Sequence, residues 1–228
     1  METSNAQSAI ANRQFPHRSL FLASSNPGKL REFRDAAAPR GVTVEVLPGF
    51  VELPACVEDG ITFEENARKK AIHYSRISPG FVFADDSGLC VDVLEGAPGV
   101  YSARFAGPEA TDAQNNQRLL TEIHQLEVGA CHGVPLWPPH LQFNRAAHYI
   151  CVIALAEAGR VLTVVEGRAD GVIIDEPRGA GGFGYDPYFL YPPLGKTFAE
   201  ILPEEKFAVS HRGAAFRKLL DYLGAGGQ

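Results

Sequence analysis

No apolar run in this sequence approaches the roughly 20 residues that a membrane-spanning helix needs, so the chain is not predicted to enter a bilayer. A C-x-x-C pair is also absent, and the four cysteines are scattered along the chain: Cys56, Cys90, Cys131 and Cys151. Isolated thiols without a disulfide framework are typical of the reducing cytoplasm, which is the predicted compartment.

An excess of basic residues is missing as well. The 228 residues include 21 Lys and Arg against 27 Asp and Glu, which gives a formal net charge of -6. This balance argues against a nucleic-acid-binding surface, although it allows a local basic pocket. The first eighteen residues lack the apolar stretch of a secretory signal, and residues 1–18 are expected to form a disordered leader. Residues 19–228 are expected to form one domain, with a Pro- and His-rich surface insertion near 127–146.

Strands and helices alternate in the first half of the chain, and strands then follow one another directly. Asn26, followed by a proline, predicts a helix start, and capping boxes at Thr62 and Thr111 predict two more. Two long strands joined at Ala158-Gly159 predict a hairpin. The pattern favours an α/β fold in which helices pack on a mixed sheet.

The most informative segment is a strand pattern that runs into two acids, a serine and a glycine. Residues 81–85 predict a buried strand, which places Asp85 and Asp86 at its end, just before Ser87. Two adjacent carboxylates raise the pKa of at least one of them or require a metal ion. A polar turn after a strand is the plainer interpretation, and this segment alone favours it.

A second polar segment joins the first predicted strand to the first predicted helix, and it consists of Ser24, Ser25, Asn26, Pro27, Gly28 and Lys29. Backbone N–H groups and the helix dipole favour a bound anion at such a turn, and Lys29 adds a positive charge. An ordinary capped helix explains this segment equally well on its own. The pattern is not that of a Walker loop.

A glycine-rich segment, residues 179–186, carries two aromatic residues and an acid. The glycines allow positive φ and a close approach to a ligand. Phe183 and Tyr185 offer ring faces for a planar base, Gly184 separates them, and Asp186 offers a hydrogen-bond acceptor. A flexible hairpin is the alternative, but the density of aromatic and acidic residues favours a binding loop.

Cations begin the last predicted helix, where the helix dipole prefers anions. His211 and Arg212 follow the predicted N-cap, Ser210, and Lys206 lies just upstream. A bound anion explains this placement, and solvated surface cations are the alternative. Glu58 lies before the second helix and is a candidate magnesium ligand.

Together these segments indicate a nucleoside-triphosphate site that uses Mg²⁺ and in which water attacks, because no motif supplies a nucleophile with a partner base. They also resemble the inosine/xanthosine triphosphate pyrophosphatases, the Ham1-like family. The matching segments are SSNPGK at 24–29, TFEENA at 62–67, ADDSGLCVDVLEGAPGVYSARFAG at 84–107, GGFGYDPYF at 181–189 and EEKFAVSHRG at 204–213.

This resemblance implies hydrolysis of ITP, dITP and XTP to the monophosphate and pyrophosphate, which cleanses the nucleotide pool. It also implies an elongated two-lobed fold around a long mixed β-sheet flanked by helices, a homodimer and a Mg²⁺ requirement. The implied substrate contacts are the turn 24–29, Ser87, the base-binding residues Phe183, Gly184, Tyr185 and Asp186, and the cations Lys206, His211 and Arg212.

In the implied mechanism, Asp86 binds Mg²⁺ and deprotonates the attacking water, with Glu58 as a second metal ligand. The family often has two glutamates where this chain has Val57-Glu58-Asp59-Gly60, so the second ligand stays open. By hypothesis, Lys29, Lys206 and Arg212 stabilise the phosphates. Two alternatives remain: a Maf-like pyrophosphatase that acts on other bases, and a nucleotide-binding protein without catalysis.

Overall fold

The computed structural model describes residues 19–131 and 144–224, with the side chains of 128–131 excepted. The predicted leader lies outside the described residues, as does most of the predicted insertion. The strands and helices, in chain order, are β1 (Ser19–Leu22), α1 (Pro27–Ala37), β2 (Thr43–Val46), α2 (Phe63–Ser75), β3 (Val82–Val91), α3 (Asp112–Cys131), β4 (Ala146–Glu157), β5 (Arg160–Ile173), β6 (Phe189–Tyr191), β7 (Lys196–Thr197), α4 (Pro203–Val209) and α5 (His211–Tyr222).

One seven-stranded mixed sheet organises the fold, in the order β2-β1-β3-β4-β5-β6-β7. The β1 strand pairs in parallel with β2 and β3, and every later pair is antiparallel. This confirms the predicted α/β class with helices on a mixed sheet. Within the described ranges, no helix is both long enough and apolar enough to cross a membrane.

Local capping chemistry sets the starts of α1 and α3 as predicted. The Asn26 side chain accepts hydrogen bonds from the N–H groups of Gly28 and Lys29, at 2.8 and 3.1 Å. At α3, Thr111 and Gln114 form a reciprocal capping box. This helix continues to Cys131, several residues into the surface insertion predicted near 127–146.

The predicted strand end at the acids is wrong. β3 continues through both acids, because β4 pairs with it along its whole length, from Val82 to Val91. By contrast, β1 pairs with β3 only as far as Phe83. Beyond that point the polar part of β3 has lost its parallel neighbour, which leaves room for a cleft.

Buried apolar residues anchor β3 on both sides of its polar segment. Phe83 packs against Phe33, with ring centroids 5.1 Å apart, in a cluster with β1, α1 and α5. Leu89 belongs to a second cluster, which includes Tyr149 and Phe189. Each fully buried side chain of this size contributes about 1.5 to 3 kcal/mol. The acids therefore lie on a strand that is packed firmly at both ends.

Candidate active site

A cleft with two compartments opens beside the polar part of β3, with volumes of about 320 and 600 Å³. Lys29, Ser87 and Ala103 line both compartments. The larger one contains the acids, and the smaller one contains the glycine-rich loop and the cations of α4 and α5. Every residue proposed from the sequence lines one of them except Pro27 and Gly28, which only build the start of α1.

Asp85 is a buried ion-pair partner, not a free acid. Its carboxylate lies 2.7 Å from Lys29 Nζ and accepts a 2.9 Å hydrogen bond from the Ser87 hydroxyl. Burial alone would raise the pKa of Asp85, but the charges of Lys29 and Arg212 outweigh burial and hold this pKa well below its ordinary range. Asp85 is therefore ionised and engaged in the structure.

Asp86 points to the opposite face of β3, as successive residues of a strand do. Burial raises the pKa of this carboxyl, against the opposing effects of the Lys70 charge and of a 3.1 Å hydrogen bond from Asn66 Nδ2. The charge of Asp85 makes only a minor contribution to the raised pKa of Asp86. The predicted rise in pKa is confirmed for one acid, but burial is its main cause and not the neighbouring carboxylate.

Lys70 is a site residue that the sequence reasoning missed. Its ammonium donates to the Asp85 carbonyl oxygen at 2.6 Å and lies 2.9 Å from Glu58 and 3.8 Å from Asp86. Burial would lower the pKa of Lys70, but the charges of Asp85, Asp86 and Glu58 raise it overall. Asn66 and Lys70 are four residues apart on α2, a spacing that puts both on one helix face, and this was the available signal.

The larger compartment offers oxygen ligands for a hard cation. Glu58 and Asp86 both flank Lys70, so the two carboxylates share one region of the cleft. The described residues contain no group of three or more His, Cys, Asp or Glu that could hold a metal by itself. This donor set fits Mg²⁺, which is commonly bound by one or two carboxylates together with substrate phosphates and water.

The Ser24–Lys29 turn differs from its predicted form. Because Asn26 caps the N–H groups of Gly28 and Lys29, those donors already have partners. The hydroxyl of Ser24 accepts from the backbone N–H of Asn26 at 3.2 Å. The groups of this turn that can contact a ligand are therefore the Lys29 ammonium and the serine hydroxyls. The turn does not present a free helix N-terminus.

The glycine-rich loop presents one exposed ring to the smaller compartment. Phe183 is 42% exposed, with Lys206 Nζ and Arg212 Cζ 5.3 and 5.4 Å from its ring centroid. Tyr185 is buried, and its hydroxyl donates to the Ser102 carbonyl at 2.8 Å. Tyr185 therefore exposes little of its ring although it lines this compartment, and its role toward a base stays a prediction. Phe183 is the more exposed ring and is called the aromatic shelf below.

The buried Asp186 carboxylate stabilises the glycine-rich loop by accepting hydrogen bonds. Its Oδ2 accepts from the Phe183 N–H at 2.8 Å and from Lys206 Nζ at 2.6 Å. Both Asp186 and Lys206 are buried. Asp186 was predicted as a ligand acceptor, but in the structure this oxygen holds the loop and pairs with Lys206.

His211 and Arg212 are buried, so the alternative of solvated surface cations is wrong. The His211 ring stacks on Tyr149 at 4.6 Å, and its buried Nδ1 has no hydrogen-bond partner among the described residues. Arg212 donates to Glu32 at 2.6 Å, while its buried Nε has no partner in the part of the chain that the structure describes. Burial and the charge of Arg212 hold the pKa of His211 well below its ordinary value.

The Lys29–Asp85 pair makes a testable contribution to stability. We expect Asp85→Asn to lower the unfolding free energy by about 3 to 5 kcal/mol near neutral pH, because one charge of a buried pair is removed. The pKa of the folded-state carboxyl is lowered from its ordinary 3.8. The contribution of Asp85 to stability is therefore fully present above the pKa that Asp85 has in the unfolded chain. This contribution is lost as the pH falls from there through the pKa of the folded state.

Urea unfolding of wild type and Asp85→Asn between neutral pH and about pH 3 measures this effect. The gap between the two proteins should narrow as the pH falls below about 4. Asp59→Asn is the control, because that acid pairs with Lys69 on the surface. A gap that stays constant with pH would contradict the assignment.

Two glycines of the loop provide a matched pair. Gly182 and Gly184 both have positive φ, at +72° and +62°. A Cβ on Gly182 would overlap the Asp186 carboxylate, whereas a Cβ on Gly184 meets nothing within 4 Å. Gly184→Ala should cost roughly 1 to 2 kcal/mol of unfolding free energy from backbone strain alone. Gly182→Ala should cost clearly more in the same urea titration, and equal losses would disprove this account of the loop.

Comparisons with known proteins give the residues a family context. The model of the Ham1 family matches residues 20–222. A protein named dITP/XTP pyrophosphatase from Geobacillus kaustophilus (strain HTA426) is 47% identical over 200 residues, which cover 88% of this chain and 91% of that protein. Another of that name, from Exiguobacterium sp., is 44% identical and covers 88% and 94%.

Two solved structures are also similar to this chain. A HAM1 protein from Coxiella burnetii is 38% identical with a TM-score of 0.76. The Staphylococcus aureus Ham1 protein is 34% identical with a TM-score of 0.74. Each comparison covers 90% of this chain and 98% of the other.

Proposed function

Since the chain belongs to the Ham1 family, we propose that it hydrolyses the non-canonical purine nucleotides ITP, dITP and XTP. The products are the monophosphate and pyrophosphate, and the reaction removes these nucleotides from the pool. One observation carries the proposal: a compartment with acids and a compartment with an aromatic shelf meet at Lys29 and Ser87. A triphosphate and its base need two such neighbouring environments.

Asp86 is proposed as the general base. Asn66 holds one of its oxygens at 3.1 Å, and burial raises the pKa of the carboxyl, which makes it a stronger base than an exposed aspartate. A water oriented by Asp86 attacks the α-phosphorus and passes a proton to this carboxylate. The bond from the α-phosphorus to the bridging oxygen breaks, and pyrophosphate leaves with that oxygen.

A divalent cation completes the acidic compartment, and Mg²⁺ is the proposed ion. Asp86 and Glu58 would hold it, and it would supply charge neutralisation on the phosphate oxygens. Lys70 neutralises the same carboxylates from the α2 side. Lys29 is the cation best placed for the phosphates, because it lines both compartments.

Lys206 and Arg212 are reassigned from the phosphates to the base. Both lie beside the Phe183 ring in the smaller compartment, and neither lines the acidic one. The Arg212 Nε–H has no hydrogen-bond partner within residues 19–131 and 144–224, and it is a donor suited to the 6-keto oxygen of hypoxanthine or xanthine. Adenine carries an amino group at this position, which leaves a buried donor unpaired and disfavours binding.

Pyrophosphate release from a panel of nucleotides tests this function. ITP, dITP and XTP should be hydrolysed with much higher kcat/KM than ATP, because adenine carries an amino group where their bases carry the 6-keto oxygen. Preference for dTTP or UTP would favour the Maf-like alternative instead. Tight ITP binding without any product would favour the nucleotide-binding protein without catalysis.

A homodimer and a cytoplasmic location are further parts of the proposal. Three large apolar side chains, Val51, Val57 and Ile61, are 72 to 86% exposed, which suits a contact with a second copy. Sedimentation equilibrium should give twice the 24.6 kDa chain mass. The described cysteines Cys56, Cys90 and Cys151 are free thiols, as the reducing cytoplasm favours.

A further inference from the structure

The peptide that follows the aromatic shelf is held on both sides by α3. The Gly184 N–H donates to Asp112 Oδ2 at 2.7 Å, and the Gly184 carbonyl accepts from Asn116 Nδ2 at 2.9 Å. Asp112 and Asn116 are four residues apart, so they project from one face of the helix. The two side chains form a clamp on a single loop residue that is distant in the sequence.

Neither residue of this clamp is needed to start α3. Thr111 and Gln114 provide the reciprocal capping box, so the cap is complete without Asp112. Asn116 is buried, and its Oδ1 has no hydrogen-bond partner among the described residues. Burying an unpaired amide oxygen costs free energy. The hydrogen bond from Asn116 Nδ2 to the Gly184 carbonyl offsets part of this cost.

The loop has a physical need for such a clamp. Gly181, Gly182 and Gly184 surround Phe183, and glycines lose more conformational freedom on ordering than other residues. Asp186 fixes the N–H of Phe183 on one side. The clamp fixes the next peptide, so that both backbone neighbours of the exposed ring are held.

We propose that Asp112 and Asn116 are positioning residues that orient Phe183 as the stacking face for the purine base. They act through Gly184 and belong to the recognition of the base, not to the hydrolytic step at Asp86. This inference rests on the proposed function and assigns a role to α3, whose first turn lies at the edge of the smaller compartment.

The test compares Asp112→Ala and Asn116→Leu with wild type in ITP hydrolysis, with inorganic triphosphate as a competitive inhibitor that lacks a base. Loss of the charge-assisted hydrogen bond in Asp112→Ala should raise KM for ITP by about tenfold, and loss of the neutral hydrogen bond in Asn116→Leu should raise KM by a smaller factor. The turnover number should stay within about twofold, and the inhibition constant of inorganic triphosphate should not change.

Two control variants separate positioning from stability. Gln114→Ala weakens the cap of the same helix turn without touching Gly184, and it should lower the Tm but leave KM unchanged. Asp112→Asn keeps an oxygen acceptor, and it should recover most of the ITP affinity. Asp112 is exposed, so its alanine variant is expected to fold even if the Asn116 variant does not.

Two results would overturn the proposal: an unchanged KM in folded Asp112→Ala, or a weakening of inorganic triphosphate binding in parallel with ITP. Calorimetric ITP affinity of the same variants tests the clamp independently of turnover. Absence of pyrophosphate release by wild type would count against the proposed function alone, because the clamp concerns affinity for the base.

Discussion

Asp86→Asn should cut ITP turnover by on the order of a hundredfold or more while nucleotide affinity stays nearly unchanged. An asparagine keeps the shape of the side chain and can still contact Asn66, but it cannot take a proton from water. Steady-state kinetics gives the turnover number, and calorimetry with ITP gives the affinity.

Asp59→Asn is the matched control for this substitution, because Asp59 pairs with Lys69 and does not line the cleft. Its kinetics should equal those of wild type. Near-wild-type turnover in Asp86→Asn would remove this residue from its role as the base, and the water would then need another proton acceptor.

Metal removal should have an effect of similar or greater size. Dialysis against EDTA is expected to lower kcat/KM by on the order of a thousandfold, since charge neutralisation by the ion contributes several kcal/mol to catalysis. Added Mg²⁺ should restore the activity. Full hydrolysis of ITP in the presence of EDTA would exclude a divalent ion from the reaction.

The same experiment can identify the second ligand. Glu58→Gln should raise the Mg²⁺ concentration needed for half-maximal activity, whereas Asp59→Asn should not. The Tm should be insensitive to EDTA, because no described group of three or more potential ligands forms a structural metal site. A large drop in Tm would instead point to a metal that holds the fold together.

Locally determined features could be predicted from the sequence. The starts of α1, α3 and α5 depend on side chains that cap their own turn, at Asn26, Thr111 and Ser210. The hairpin between β4 and β5 follows equally from its own residues. These features need no information from distant parts of the chain.

Features that depend on distant partners could not be predicted. The acids looked like a turn because polar residues interrupt an apolar pattern, but pairing with β4 keeps them in a strand. Lys70 was missed because its charge partners lie on other elements. The sequence assigned Tyr185 and Asp186 roles toward the ligand, but both side chains are buried in the structure. Their burial depends on packing against distant elements, and the local sequence pattern does not contain that information.

The continuity of β3 has a consequence for variants far from the cleft. Phe83 and Leu89 belong to different apolar clusters, and the polar residues that face the cleft lie on the strand between them. Because close-packed interiors transmit small displacements, we expect a repacked side chain in either cluster to shift Asp86 relative to Lys29. Loss of catalysis is therefore expected to precede loss of folding when either cluster is perturbed.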